Sequence, residues 1–168
     1  MAFDGVLCGI IARQLAAELT SAKIEKIQQP ERDLLLLTVR REGSSLRLLI
    51  RIGGQNTRLH LTRLNYENPR EAPMFCMFLR KHLTGARIRE IEQPNGDRLL
   101  LFRLNGRSEL GDDVPLTLAV ELMGRAANVI LLDAEDRIMD CIRRIPLSEH
   151  GSRALLPGLR YEIGRAHV

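Results

Sequence analysis

The chain is poor in the side chains that stack bases or bind metals. It has no tryptophan, four phenylalanines and two tyrosines, so aromatics make up 4% of its 168 residues. An RNA-binding face built on stacked rings is therefore not expected. The three cysteines, Cys8, Cys76 and Cys141, stand far apart in apolar segments. An odd, unclustered set suits buried thiols in a reducing cytosol. His60, His82, His150 and His167 have no metal-ligand spacing with them, so no metal is expected. Neither a Walker loop nor GxGxxG is present, which leaves a nucleotide cofactor unsupported. No nucleophile elbow is found either, because Gly43-Ser44 and Gly151-Ser152 lie in turn-like stretches. Asp112-Asp113 is a paired carboxylate, but it sits in a polar turn. No catalytic residue and no enzymatic activity are expected. No apolar run approaches the ~18 residues of a membrane span. The opening MAFDGVLCGII lacks a basic leader, so no signal peptide is expected either.

What the chain does have is arginine. Lysine occurs only at Lys23, Lys26 and Lys81, so 22 of the 25 basic residues are arginine. Arginine forks match phosphates and base edges. Codon usage in a GC-rich genome gives the same composition. The net charge of +4 is only a mild pull towards polyanions.

The chain also repeats itself. Leu19-Thr20-Ser21-Ala22-Lys23-Ile24-Glu25-Lys26-Ile27-Gln28-Gln29-Pro30 recurs as Leu83-Thr84-Gly85-Ala86-Arg87-Ile88-Arg89-Glu90-Ile91-Glu92-Gln93-Pro94, 64 positions on. Without a gap, the match runs on through Asp33–Leu37 against Asp97–Leu101. The pseudo-repeats span about 4–63 and 68–133. Each opens with a helix. Asp4 can cap the first, and Pro73 suits the first turn of the second. Ile11, Ala12, Leu15 and Leu19 match Phe75, Cys76, Leu79 and Leu83 as a core stripe. Strands are predicted over about 23–28, 33–40, 46–52 and 57–62, then 87–93, 98–104, 116–123 and 129–133, with a short one near 137–143. Two α+β units of one helix and four antiparallel strands imply two sheets packed face to face as a sandwich, with helices closing the ends.

The copies differ where Asp33-Leu34 faces Asp97-Arg98 in the gap-free alignment. Both aspartates are explained by turn chemistry. Arg98 interrupts an apolar strand start, and either a surface ion pair with Asp97 or a binding role accounts for it. Asp4 could be a helix cap and nothing more.

Three stretches together resemble the N-terminal domain of the NFACT family, whose bacterial members were once called fibronectin-binding proteins. They are Phe3-Asp4-Gly5, Gln93-Pro94-Asn95-Gly96-Asp97-Arg98, and Glu121-Leu122-Met123-Gly124-Arg125-Ala126-Ala127-Asn128 continuing to Asp133. The resemblance covers residues 1–162, and 163–168 depart from it as a vector-derived tail. It implies a fold related to the N-terminal domain of formamidopyrimidine-type DNA glycosylases. It implies a cytoplasmic factor of ribosome-associated quality control, bound to the large ribosomal subunit with its stalled peptidyl-tRNA. Such a factor recruits charged tRNA, alanyl-tRNA in bacteria, for C-terminal tailing. It also implies Asp4, Asp97 and Arg98 as tRNA-binding residues. Arg125 is a weaker phosphate-contact candidate, since a turn arginine is as readily solvated. Two other classes stay open. A glycosylase would need an amino-terminal proline where the chain reads Met1-Ala2-Phe3. An extracellular matrix adhesin would need export.

Overall fold

A computed structural model describes residues 4–147 and 153–163. Phe3, His150, His167, Gly151-Ser152 and residues 164–168 of the expected tail lie outside the described residues.

The elements follow the repeat. In the first copy they are α1 (Gly5–Leu19), β1 (Lys23–Glu31), β2 (Leu34–Arg41), β3 (Ser44–Arg51) and β4 (Arg58–Leu61). In the second they are α2 (Met74–Leu83), β5 (Arg87–Glu92), β6 (Leu99–Arg107), β7 (Asp113–Glu121) and β8 (Asn128–Leu132), followed by β9 (Ile138–Cys141). Single 3-10 turns sit at Gly54–Asn56, Pro94–Gly96 and Gly124–Ala126.

The expected pair of separate sheets is not what the backbone forms. All nine strands join one antiparallel sheet in the order β4-β3-β2-β1-β5-β6-β7-β8-β9. The join is β1 against β5, with Lys23 opposite Arg87. Four backbone bonds make it: Ser21 N to Ile88 O (2.7 Å), Gly85 N to Ile24 O (2.7 Å), Ile24 N to Ala86 O (2.8 Å) and Ile88 N to Ala22 O (2.9 Å). Exchanging the copies maps the first bond onto the second and the third onto the fourth, so a pseudo-twofold axis passes through this junction. Ser21 and Gly85 enter it in the same left-handed conformation, at φ 77° and 87°. The repeat thus supplies a partner for the first residues of each inner strand, and further along β1 a helix side chain takes over, with Arg80 Nε donating to Ile27 O (2.9 Å).

The helices cross over. α1 packs on β5 and α2 on β1, so each copy's helix covers its partner's strand. The helix stripes (Ala12, Leu15, Leu19; Phe75, Cys76, Leu79, Leu83) join alternate strand residues from both copies in one large core. The other sheet face is covered as well. Leu34, Leu36 and Leu49 lie under Tyr66, while Leu99, Leu101, Ala119, Ile130 and Leu132 lie under Leu155 and Tyr161. That second cover is pinned by the fully buried Glu121. Glu121 accepts a two-pronged Arg153 fork (2.7 and 2.9 Å) and the Tyr161 hydroxyl (2.6 Å). Burial, then the Glu121 charge, pushes the Tyr161 hydroxyl well above the ordinary tyrosine range.

Strand register corrects the gap-free alignment. Ile27 lies opposite Leu37, and its mate Ile91 lies opposite Phe102. Residues 64 apart in β1 and β5 therefore face residues 65 apart in β2 and β6. Leu35, Leu37 and Val39 point into the same core as Leu100, Phe102 and Leu104, in agreement. The second hairpin holds one extra residue, so the structural mate of Arg98 is Asp33 and that of Asp97 is Arg32. The backbone confirms it: Ile52 N donates to Asp33 O as Leu122 N donates to Arg98 O, both at 2.9 Å.

The left-handed entry to the junction is testable. Gly85→Ala lowers unfolding stability by about 1 kcal/mol in urea titration followed by circular dichroism. An unchanged midpoint would mean that the junction does not hold Gly85 in this conformation.

Candidate nucleic-acid interface

The two copies depart from symmetry in two ways, and both departures meet at one place. α1 has 15 residues and α2 has 10. The helices end at matched positions, so the surplus lies at the start of α1. Pro69 and Pro73 stand where α1 carries Gly5 and Gly9. The extra turns of α1 run against the 3-10 turn Pro94–Gly96, which carries the second hairpin's extra residue.

The contact is close. A Cβ on Gly5 would stand 2.2 Å from Gly96 O, and one on Gly9 would stand 2.7 Å from Gln93 Oε1. Only glycine admits this approach. The Gln93 amide bridges the two parts, with Nε2 donating to Gly5 O (2.6 Å) and Asp97 O (2.7 Å). The hairpin turns through two consecutive left-handed residues, Asn95 at φ 53° and Gly96 at φ 69°.

Asp4, Asp97 and Arg98 are brought together here. Asp4 caps α1, accepting from Leu7 N at 2.7 Å, so the capping reading of this residue holds. The Asp97–Arg98 ion pair that would make the arginine structural is not formed. Among the described residues neither side chain bonds to a protein partner. Both Asp4 and Arg98 act on the buried Cys8 thiol beneath them. Burial, and next Asp4, raise its pKa to about 11, while Arg98 lowers it. The trio thus brings an exposed carboxylate at the start of α1 beside a half-buried carboxylate and guanidinium that follow the exposed turn Asn95-Gly96. A carboxylate can accept from a base amino group, and a guanidinium can fork to phosphate or stack on a base.

Arg125 is placed elsewhere. It is exposed on the 3-10 turn Gly124–Ala126 and lines a cleft of about 800 Å³ with Arg32, Asp33, Gly53, Arg143 and Arg144. Other residues of the same stretch are buried supports. Asn128 Nδ2 donates to Arg143 O (2.8 Å), and Arg143 N donates to Asn128 Oδ1 (3.2 Å). Sequence reasoning missed Gln93, Gly5 and Gly9 as the clasp. Gln93 had one visible signal, the matched Gln29. The first copy's glutamine side chain donates within its own hairpin, to Arg32 O at 3.0 Å. No helix among the described residues is long and apolar enough to cross a membrane.

The family model described as NFACT N-terminal and middle domains matches residues 4–166. A protein named Rqc2 homolog RqcH from Bacillus subtilis is 38% identical over 164 residues, which is 97% of this chain and 29% of that protein. A protein of the same name from Streptococcus pneumoniae is 37% identical over 162 residues, 96% of this chain and 29% of its own length. The solved N-terminal domain of fibronectin-binding protein PavA from Streptococcus pneumoniae superposes with a TM-score of 0.90 at 36% identity. That match covers 96% of this chain and 61% of the other. The chain therefore spans less than a third of the curated relatives it matches.

Two outcomes follow from the clasp. Gln93→Leu leaves two carbonyls without their donor and lowers stability by about 2 kcal/mol in urea titration; a loss below about 0.5 kcal/mol would show that the amide does not hold the hairpin. The three free thiols are buried, so a thiol reagent at pH 8 leaves the native protein unmodified and titrates three groups only in denaturant. Rapid native labelling of Cys8 would contradict its raised pKa.

Proposed function

The chain belongs to the family of NFACT N-terminal and middle domains, and from that premise we propose that it is the tRNA-holding domain of a ribosome-associated quality-control factor. One observation carries this reading. Both departures from internal symmetry are spent on one hairpin turn, and it is followed by Asp97 and Arg98, half-buried and with no side-chain protein partner among the described residues. A charged pair held on a stiff support and left unpaired by its own chain suits an outside ligand.

Relatives named for ribosome quality control support the ribosomal setting. In this proposal the whole protein works in the cytoplasm on the large ribosomal subunit, with contacts to rRNA and stalled peptidyl-tRNA. It recruits charged tRNA, alanyl-tRNA in bacteria, and the nascent chain is extended at its C-terminus with alanine. Asp97 accepts from a base edge and Arg98 takes phosphate or stacks on a base. Asp4 orders the helix end behind them. The domain acts by binding, and the bond-making step belongs to the ribosome. The fold likeness to glycosylase N-terminal domains enters this proposal only as architecture.

A second reading rests on the printed description of a structural neighbour as a fibronectin-binding protein. Binding to fibronectin at physiological salt that exceeds binding to tRNA would favour it.

The test uses the full-length protein. Asp97→Ala with Arg98→Ala leaves large-subunit co-sedimentation intact and abolishes alanine tails on stalled chains. Tailing at the wild-type level in the double variant would remove the pair from the mechanism.

A further inference from the structure

The corrected register sets two charged pairs in mirrored order. Arg32-Asp33 occupies the hairpin positions that Asp97-Arg98 occupies in the other copy. The first pair does not face open solvent alone; it lines the cleft between the copies, opposite Arg125, Arg143 and Arg144. Arg143 is held in place by its own fork, with Nη1 donating to Arg125 O (3.1 Å) and Ala127 O (3.3 Å). Arg144 is paired with Asp140 at 3.0 and 3.2 Å. Arg32 and Arg125 have no side-chain acceptor among the described residues. Four guanidiniums thus meet two carboxylates, Asp33 and Asp140, and positive charge is left over.

We propose that this cleft binds the phosphates of an RNA backbone, as a second grip beside the Asp97-Arg98 hairpin. The proposal rests on the tRNA-binding reading above and extends it to a site assembled from both copies. The lining selects the ligand. Ile142 is its one apolar side chain and no ring faces it, so a nucleoside has no wall to stack on, while guanidinium forks suit phosphate oxygens. The volume exceeds what one phosphate fills and admits a length of backbone. The cleft also continues from the hairpin. Arg98 O takes the Leu122 amide, three residues before Arg125, so both sites lie at the same end of β6 and β7. Phosphate contacts position an RNA without reading it, which leaves selection to Asp97 and Arg98.

The experiment measures binding of fluorescently labelled total tRNA to this chain between 50 and 300 mM KCl, for the wild type, Arg32→Glu and Arg98→Gln. Arg32 is exposed, so thermal melts of Arg32→Glu should match the wild type; Arg32→Gln replaces it if they do not. The expected result is an affinity about tenfold weaker for Arg32→Glu, with the slope of log affinity against log salt flattened by about one. Wild-type affinity and slope in Arg32→Glu, together with loss in Arg98→Gln, overturn the cleft and leave the tRNA reading standing. Loss in Arg32→Glu with none in Arg98→Gln supports the cleft and counts against the pair. No binding by the wild type overturns both. Displacement of tRNA by a few millimolar inorganic phosphate also overturns the cleft, because it makes the site a pocket for a single small anion.

Discussion

Everything in this molecule hangs on the four backbone hydrogen bonds between β1 and β5. Each copy alone would expose one strand edge and one apolar face. Pairing the starts of the edges through Ser21, Ala22 and Ile24 with Gly85, Ala86 and Ile88 reduces the first problem. Crossing the helices over the junction removes the second, because each helix then buries its stripe on the other copy's strand. The bonds are short, at 2.7 to 2.9 Å, and come in two symmetry-related pairs. The 3-10 links Gly54–Asn56 and Gly124–Ala126 also touch across the copies, and each lies beside its own copy's first hairpin. Function can then be built where they meet by small departures from symmetry.

The departures are few. Five more residues at the start of α1, and one more in the second hairpin, bring Gly5 against Gly96 and let Gln93 tie them together. The first copy's hairpin lacks the extra residue and has only the shorter α2 on its side, so it keeps Arg32 and Asp33 beside the cleft instead of against a helix end. A repeat of equal units would give two equal sites. Here the same two residue types, in opposite order, occupy two different settings: one pair on a clasped turn, the other in an arginine-lined cleft.

Much of this was legible in the sequence. The repeat located both helices and eight strands to within a few residues, since the helix stripes and turn residues recur together, and the short strand after it was expected near its observed place. The Asp4 cap was legible because capping chemistry is local. What the sequence hid was register. Leu34–Leu37 and Leu99–Phe102 are apolar on both faces because both faces of the sheet are covered. Such a run carries no alternation, so a one-residue slip leaves no trace in its pattern. The shared aspartates, Asp33 and Asp97, then drew the alignment into a false match. The single continuous sheet was hidden for a related reason. It is made by backbone groups at β1 and β5, and side-chain pattern does not report on them. The cleft was out of reach because its lining comes from four separate stretches of chain.

The central claim is that the RNA face lies where the two hairpins and their 3-10 links come together, and photocrosslinking tests it most directly. A tRNA carrying photoreactive nucleotides is crosslinked to the protein, and the modified peptides are mapped by mass spectrometry. The predicted crosslinks fall on the Gln93–Arg98 hairpin, on Arg32-Asp33 and around Arg125. The turns at the other ends of β2 and β6, Glu42-Gly43 and Ser108–Asp112, should stay clean. Crosslinks concentrated on those far turns, with the hairpin unmodified, would contradict the account.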